Sequence, residues 1–305
     1  MKSTNLRKQL RALLASDRCV QMATVFDPIS TRIAEDLGHQ VGLMGGSIAS
    51  HVILGAPDVI VLTLTELAEQ LGRCTRASSL PIIVDGDHGY GNALNAMRTV
   101  IELDRAGAGA VMIEDTHLPR GFGRRNAPAL ISHEESSGKL RAAVKARGDS
   151  DLVILGRTSA PSVSSVDDAI LRLRAFESAG VDALFLPKVN SREDLDRISS
   201  AVTLPLILAD ATGPFSDLSY LASRNVRLWT AGHHVFALAV NALYDAMKAA
   251  RDGTLPARPA GAGFSEVMDR LLRVRDYQVA TEHFLGREPS QREESESSAS
   301  HHTCP

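Results

Sequence analysis

Several acids in this chain stand where they could hold a cation. The segment DGDHGYGN (85–92) places Asp85 and Asp87 one residue apart at the end of an apolar run, and Glu114-Asp115 ends the next such run. Carboxylates that close to one another are costly unless a cation neutralises them. An all-oxygen set, without cysteine and with few histidines nearby, suits Mg²⁺ or Mn²⁺ better than Zn²⁺. Mg²⁺ keeps several waters and takes one or two carboxylates directly. Asp85 is therefore expected in direct contact with the metal, with Asp87, Glu114 and, as a further candidate, Asp58 holding its waters. Any one of these acids is equally well explained as a helix N-cap or a solvated loop residue. Their joint placement on adjacent strand ends is not. For Asp115 and Asp210 the two explanations stay balanced.

Other residues suit an anionic substrate. Gly45-Gly46-Ser47 offers backbone N–H groups and a hydroxyl at a helix start, either an anion cradle or a plain tight turn. Gly89 and Gly91 permit a tight loop with backbone close to a ligand. His88 reads as a ligand, a base or, preferably, a loop histidine in a structural hydrogen bond. Arg157, between Gly156 and Thr158, needs a partner, and a substrate carboxylate held bidentately is favoured over one of the neighbouring acids. His233 can hydrogen-bond a substrate or donate a proton, and it is preferred over His234, where a helix begins.

Positioning these groups requires a particular succession of elements. Eight short apolar runs, VQMATV (20–25), VGLMG (41–45), PIIVD (81–85), AVMIED (110–115), LVILGR (152–157), ALFLP (183–187), LPLILAD (204–210) and VRLWTAG (226–232), read as strands buried on both faces. Helical patterns separate them. Asp27-Pro28 opens one that closes at Gly38, and Ser165 with Asp168 and Ser191 with Asp194 resemble capping boxes whose acid is one carbon short. Eight strand–helix units over about 250 residues are what a closed (β/α)8 TIM barrel needs. A doubly wound sheet would carry a glycine-rich turn after its first strand, and TVFDPIS (24–30) has no glycine. In a barrel the strands' C-terminal ends carry the active site, so the candidate residues converge on one rim.

The barrel is expected over 1–253, with a C-terminal helical extension over 254–289 and a disordered Ser/Glu/His-rich tail over 290–305. A helix beyond a completed barrel lacks a partner in its own subunit, so docking on a neighbouring copy is expected. Net charge is −3 and the 33 Lys and Arg are scattered, which leaves no basic stripe for nucleic acid. No apolar run approaches the roughly 20 residues that span a bilayer. The basic N-terminus reads as an amphipathic helix, and Cys19, Cys74 and Cys304 show no metal or redox spacing. A cytoplasmic protein is expected.

LMGGSIAS (43–50), GAPD (55–58), VDGDHGYGNALNAMRTV (84–100), AGAGAVMIEDTHLPRGFG (106–123) and GRTSA (156–160) resemble the isocitrate lyase/phosphoenolpyruvate mutase superfamily. The resemblance covers roughly residues 5–285 and is greatest to its bacterial oxaloacetate decarboxylase branch. It implies a barrel with Mg²⁺ at the strand ends and bond cleavage in a small 2-oxo dicarboxylate. It also implies a homotetramer, a dimer of dimers whose C-terminal helices are exchanged between subunits. Position by position, it makes Asp85 the metal ligand, Asp58, Asp87 and Glu114 the acids around the metal's waters, and Ser47, Arg157 and His233 substrate contacts. The implied reaction is Mg-dependent decarboxylation of oxaloacetate to pyruvate through a stabilised enolate, with no organic cofactor. Segment 116–126 has no cysteine, which argues against the cysteine-dependent cleavage of isocitrate or methylisocitrate. A lyase acting on a substituted malate, a phosphonopyruvate-processing enzyme and an inactive 2-oxo-acid-binding barrel stay open as alternatives. Thr158-Ser159 after Arg157, where many members carry Thr-Asn or Thr-Asp, and the extra acid Asp210 are the departures from the pattern.

Overall fold

A computed structural model describes residues 2–122, 128–209, 213–254 and 262–286. The chain divides into two compact units, residues 1–246 and 247–305.

The first unit is a parallel barrel. Its strands are β1 (Val20–Gln21 and Ala23–Thr24, interrupted at Met22), β2 (Gly42–Met44), β3 (Ile82–Asp85), β4 (Ala110–Glu114), β5 (Val153–Arg157), β6 (Ala183–Leu186), β7 (Leu206–Leu208) and β8 (Val226–Trp229). Neighbours in sequence pair in parallel throughout, and the two halves of β1 pair with β8 on one side and β2 on the other. That closes the ladder, with Met22 N–H donating to the Trp229 carbonyl at the seam. The expected eight strands and barrel topology are present.

Strand residues alternate between two cores, and apolar side chains fill both. Met22, Leu43, Ile83, Met112, Leu155, Phe185, Ile207 and Leu228 fill the barrel interior together with Leu10 and Leu14 of α1 (Lys2–Leu14). Ile82, Val84, Val111, Ile154, Leu184 and Leu206 face outward into a second core between sheet and helices. Burial on both faces is why the strand sequences lack a polar–apolar rhythm.

The surrounding helices are α2 (Pro28–Asp36), α3 (Gly46–Leu54), α4 (Leu64–Ala77), α5 (Ala93–Arg105), α6 (His133–Arg147), α7 (Ala160–Val163), α8 (Val166–Ala179), α9 (Arg192–Ala201), α10 (Leu218–Ser223) and α11 (His234–Arg251). Asp27 caps α2 by accepting from Ser30 N–H, Pro28 opens that helix, and Gly38 beyond it has φ +77°. Ser165 and Ser191 cap α8 and α9, each accepting from an aspartate N–H three residues on. Neither forms the reciprocal half of a capping box. The shorter aspartate leaves Asp168 free to bond elsewhere. Helix α11 continues past residue 246, and none of its residues is buried. The second unit contains α12 (Ala262–Leu272) and α13 (Val274–Leu285). The expected tail over 290–305 lies outside the described residues. Among the described residues no helix is long and apolar enough to cross a membrane.

Candidate active site

A cavity of about 760 Å³ opens at the C-terminal ends of the strands. Gly45, Ser47, Asp58, Asp85, Asp87, Glu114, Arg157 and His233 all line it, so strand ends far apart in sequence meet as a barrel requires. Gly46 stands behind them as the first residue of α3.

The glycine pair makes room for the other groups. A Cβ at Gly45 would lie 2.7 Å from His233 Nε2, and one at Gly46 would lie 2.6 Å from Asp87 Oδ1. Gly45-Gly46 is therefore a floor on which an imidazole and a carboxylate rest directly. The His233 ring is steadied from its other side by Thr24, whose Oγ lies 3.5 Å from Nδ1.

The loop after β3 is wound tightly around its acids. Asp87, Gly89, Tyr90 and Gly91 all have positive φ, which is costly for the two residues with side chains. Asp87 N–H donates to Asp85 Oδ1 at 3.1 Å, and the Asp87 carbonyl accepts from Glu114 N–H at 2.8 Å. Backbone and side chain together bind the two strand ends to each other.

Charge at this rim is not balanced. Arg157 Nη1 donates to Asp85 Oδ2 at 2.7 Å, and its Nε lies 3.1 Å from Glu114 Oε2, too poorly aligned for a hydrogen bond. The sequence favoured a substrate carboxylate as the partner of Arg157, and here the guanidinium is against two of the acids. A guanidinium has five donors, so contact with two carboxylates does not exhaust it. Burial raises the Asp87 pKa well above the usual carboxylate range, and Asp85, Glu114 and Asp58 raise it further against the opposing pull of Arg157. Glu114 is raised chiefly by burial, with Arg157 and a hydrogen bond to Thr116 opposing. Asp58 is raised by burial and then by Asp85. One arginine among four carboxylates leaves a deficit of positive charge.

That deficit is the test of a metal. The donors are all oxygen, partly buried and under-neutralised, as a hard divalent cation requires. Among the described residues no three His, Cys, Asp or Glu side chains close on one ligating centre. An all-oxygen set fits Mg²⁺, which takes one or two carboxylates directly and keeps its waters.

Two residues fall outside the rim. Asp115, only 1% exposed, does not line the cavity and pairs with Arg172 instead. His88 is buried behind the loop with its Nδ1 unpartnered among the described residues, and burial pushes its pKa down to about 4. Asp210 and residues 123–127 of the segment after β4 lie outside the described residues. Sequence reasoning missed Thr24 beside His233, Thr116, which hydrogen-bonds Glu114, and Phe185, whose ring centre lies 5.8 Å from the Arg157 guanidinium carbon. Their only signal is position, since each stands at or just beyond a strand end.

A family model described as phosphoenolpyruvate phosphomutase matches residues 10–251. A protein named oxaloacetate decarboxylase from Paraburkholderia xenovorans (strain LB400) is 54% identical over 282 residues, covering 92% of this chain and 94% of that protein. The chain belongs to the phosphoenolpyruvate phosphomutase family. Among solved members of the superfamily, the phosphoenolpyruvate phosphomutase from Streptomyces platensis subsp. rosaceus matches with a TM-score of 0.82 at 27% identity, covering 92% of this chain and 99% of that one. A phosphonopyruvate hydrolase in complex with oxalate and Mg²⁺ matches with a TM-score of 0.79 at 26% identity and the same coverage. Family membership agrees with the barrel, and one relative's complex pairs a divalent cation with a small dicarboxylate.

Proposed function

We propose that the chain is a carbon–carbon lyase that decarboxylates oxaloacetate to pyruvate and CO2, using Mg²⁺ or Mn²⁺. The observation that carries this reading is the 54% identity, over 92% of the chain, to a protein named oxaloacetate decarboxylase. The under-neutralised acids at the mouth supply its chemical support.

In this reading Asp85 is the direct ligand, and Asp58, Asp87 and Glu114 hold the waters of the ion. The bound cation supplies Lewis acidity for the negative charge that develops on the 2-oxo oxygen as CO2 leaves. No organic cofactor is needed, because the 2-oxo group itself accepts the electron pair of the breaking C3–C4 bond. Gly45, Gly46 and Ser47 offer N–H groups and a hydroxyl at the start of α3 to the substrate carboxylate beside the 2-oxo group. Arg157 keeps Asp85 and Glu114 in place and orients the substrate with its remaining donors. His233, resting on Gly45, hydrogen-bonds the substrate and delivers a proton to C3.

Pyruvate release from oxaloacetate, followed with and without a chelator, tests this reading. Chelation is expected to abolish turnover and Mg²⁺ to restore it; turnover indifferent to chelation contradicts the metal's role. Phosphate release from phosphonopyruvate without pyruvate from oxaloacetate would move the chain to a phosphonopyruvate-processing activity. Binding of Mg²⁺ and oxalate without turnover of any 2-oxo acid would make it a binding barrel.

The reading includes a homotetramer with exchanged C-terminal helices. Its support is α11, where Val240, Leu243, Tyr244 and Met247, at i, i+3, i+4 and i+7 spacing on one face, are 46%, 57%, 69% and 64% exposed. A contiguous apolar helix face of that kind usually meets a partner. A monomer mass by sedimentation would contradict it.

A further inference from the structure

The connection from β4 to α6, residues 115–132, contributes Thr116, Leu118, Pro119, Arg120 and Pro128 to the cavity wall. Its two stalks run side by side. Thr116 bridges Leu130 in antiparallel register, His117 N–H donates to the Ala129 carbonyl at 2.7 Å, and Ile131 N–H donates to the Asp115 carbonyl at 2.9 Å.

Beneath the stalks lies a guanidinium that does not itself line the cavity. Arg172 of α8 is 6% exposed. Its Nη1 donates to Asp115 Oδ2 on the outgoing stalk at 3.0 Å and to the Ile131 carbonyl on the returning stalk at 2.9 Å. Its Nε donates to Asp168 Oδ2 at 3.0 Å, and Asp168 Oδ1 lies 2.7 Å from Nε2 of His133, the first residue of α6. One planar side chain thus ties both ends of the connection and the helix that follows. Asp115 also takes its position from the active rim: its N–H donates to the Arg157 carbonyl at 3.2 Å, and it directly follows Glu114. A shift of Asp115 displaces both.

We propose that Arg172 is a positioning residue, fixing the stalks of 115–132 against the end of β4 and so setting where Thr116, Leu118–Arg120 and Pro128 stand in the cavity. The inference rests on this cavity being the site of the decarboxylation. The planar fork matters because a lysine ammonium in the same place reaches fewer of these acceptors at good geometry.

The test uses the full-length protein with Mg²⁺ and two readouts, kcat/KM for oxaloacetate and the rate of tryptic cleavage after Arg120. In Arg172→Met, kcat/KM is expected to fall roughly 10- to 100-fold, as misplacement of cavity groups by about 1 Å does. Cleavage after Arg120 should accelerate ahead of cleavage elsewhere. Arg172→Lys should be intermediate in both, and Asp115→Asn combined with Arg172→Met should be little worse than the worse single variant. Arg197→Met on α9, which breaks the exposed ion pair with Asp167 of α8, should match wild type in both. Unchanged kcat/KM in a folded Arg172→Met, or faster cleavage spread evenly along the chain, overturns the proposal. If Arg172→Met does not fold, Arg172→Lys and Asp115→Asn decide by the same two readouts. Wild-type protein that does not turn over oxaloacetate would refute the functional reading alone, since the cleavage pattern still reports on the stalks.

Discussion

At the N-terminal end of the barrel, Arg7 and Arg11 of α1 reach the loops that lead into β4, β5 and β6. Arg7 donates to the carbonyls of Ala108 and Asp104 and to Ser150 Oγ, and pairs with the Asp104 carboxylate at 2.7 Å. Arg11 donates to the carbonyls of Asp151 and Leu152 and to Asp182 Oδ1, while the other oxygen of Asp182 takes Arg147 and the Ile154 N–H. Cations there outnumber the acids they touch, three arginines against Asp104 and Asp182, and backbone carbonyls take up their spare donors. At the opposite end four carboxylates share Arg157, Asp58, Asp87 and Glu114 hold their protons more tightly than usual because they are buried beside other acids, and the backbone at Asp87 and Tyr90 is strained. The same charged chemistry closes one end of the barrel and leaves the other unfinished. An unfinished, perturbed cluster in a cavity is what a functional site looks like, whereas satisfied networks report stability.

Substitutions at the two ends should therefore fail differently. Asp85→Asn is expected to lower kcat by about 10³-fold or more, since it weakens the electrostatic anchor of the reaction, while leaving the circular-dichroism spectrum unchanged. Gly46→Ala is expected next: a Cβ 2.6 Å from Asp87 Oδ1 forces that carboxylate to move, with a loss of about 100-fold in kcat/KM and a small change in Tm. Arg7→Met should reverse the pattern. Its removal strands buried acceptors and is expected to cost about 2 kcal/mol in denaturant unfolding, with kcat unaltered. If Arg7→Met impaired turnover at full folding, the division between the two ends would be wrong.

The smallest expected effect concerns His88. Burial, reinforced by Lys139 and His117, holds its pKa near 4 instead of 6.5. The unfolded chain therefore binds a proton over that interval that the folded chain does not, and stability falls as pH drops from about 6.5 to 4. His88→Gln should flatten this part of the pH–stability curve, and an unchanged slope would show that His88 charges readily inside the fold.

Much of this was legible in the residues. The eight strand runs sit where the barrel has its strands, because burial on both faces leaves long unbroken apolar segments that neither loops nor surface helices produce. Asp85, Asp87, Glu114, Arg157 and His233 could be placed on one rim because barrel closure brings consecutive strand ends together without any detail of packing. The pairing of Asp115 with Arg172 was not legible, since the two are 57 residues apart and meet only through the stacking of α8 on the strand. Nor was the partner of Arg157, because the sequence shows a guanidinium at a strand end and not which way it turns. The short aspartate after Ser165 did carry information: failing to complete a capping box, Asp168 is available to hold Arg172.

The acids at the mouth lack a positive charge that a divalent ion would supply. Titration calorimetry of Mg²⁺ into chelator-stripped protein, repeated at pH 5.5 and 8, tests this most directly. Because Asp58, Asp87 and Glu114 hold their protons above the ordinary range, ion and proton compete. One site per chain is expected, with proton release on binding, tighter affinity at pH 8 than at 5.5, and loss of the site in Asp85→Asn. Absence of binding, or equal binding by Asp85→Asn, would contradict it.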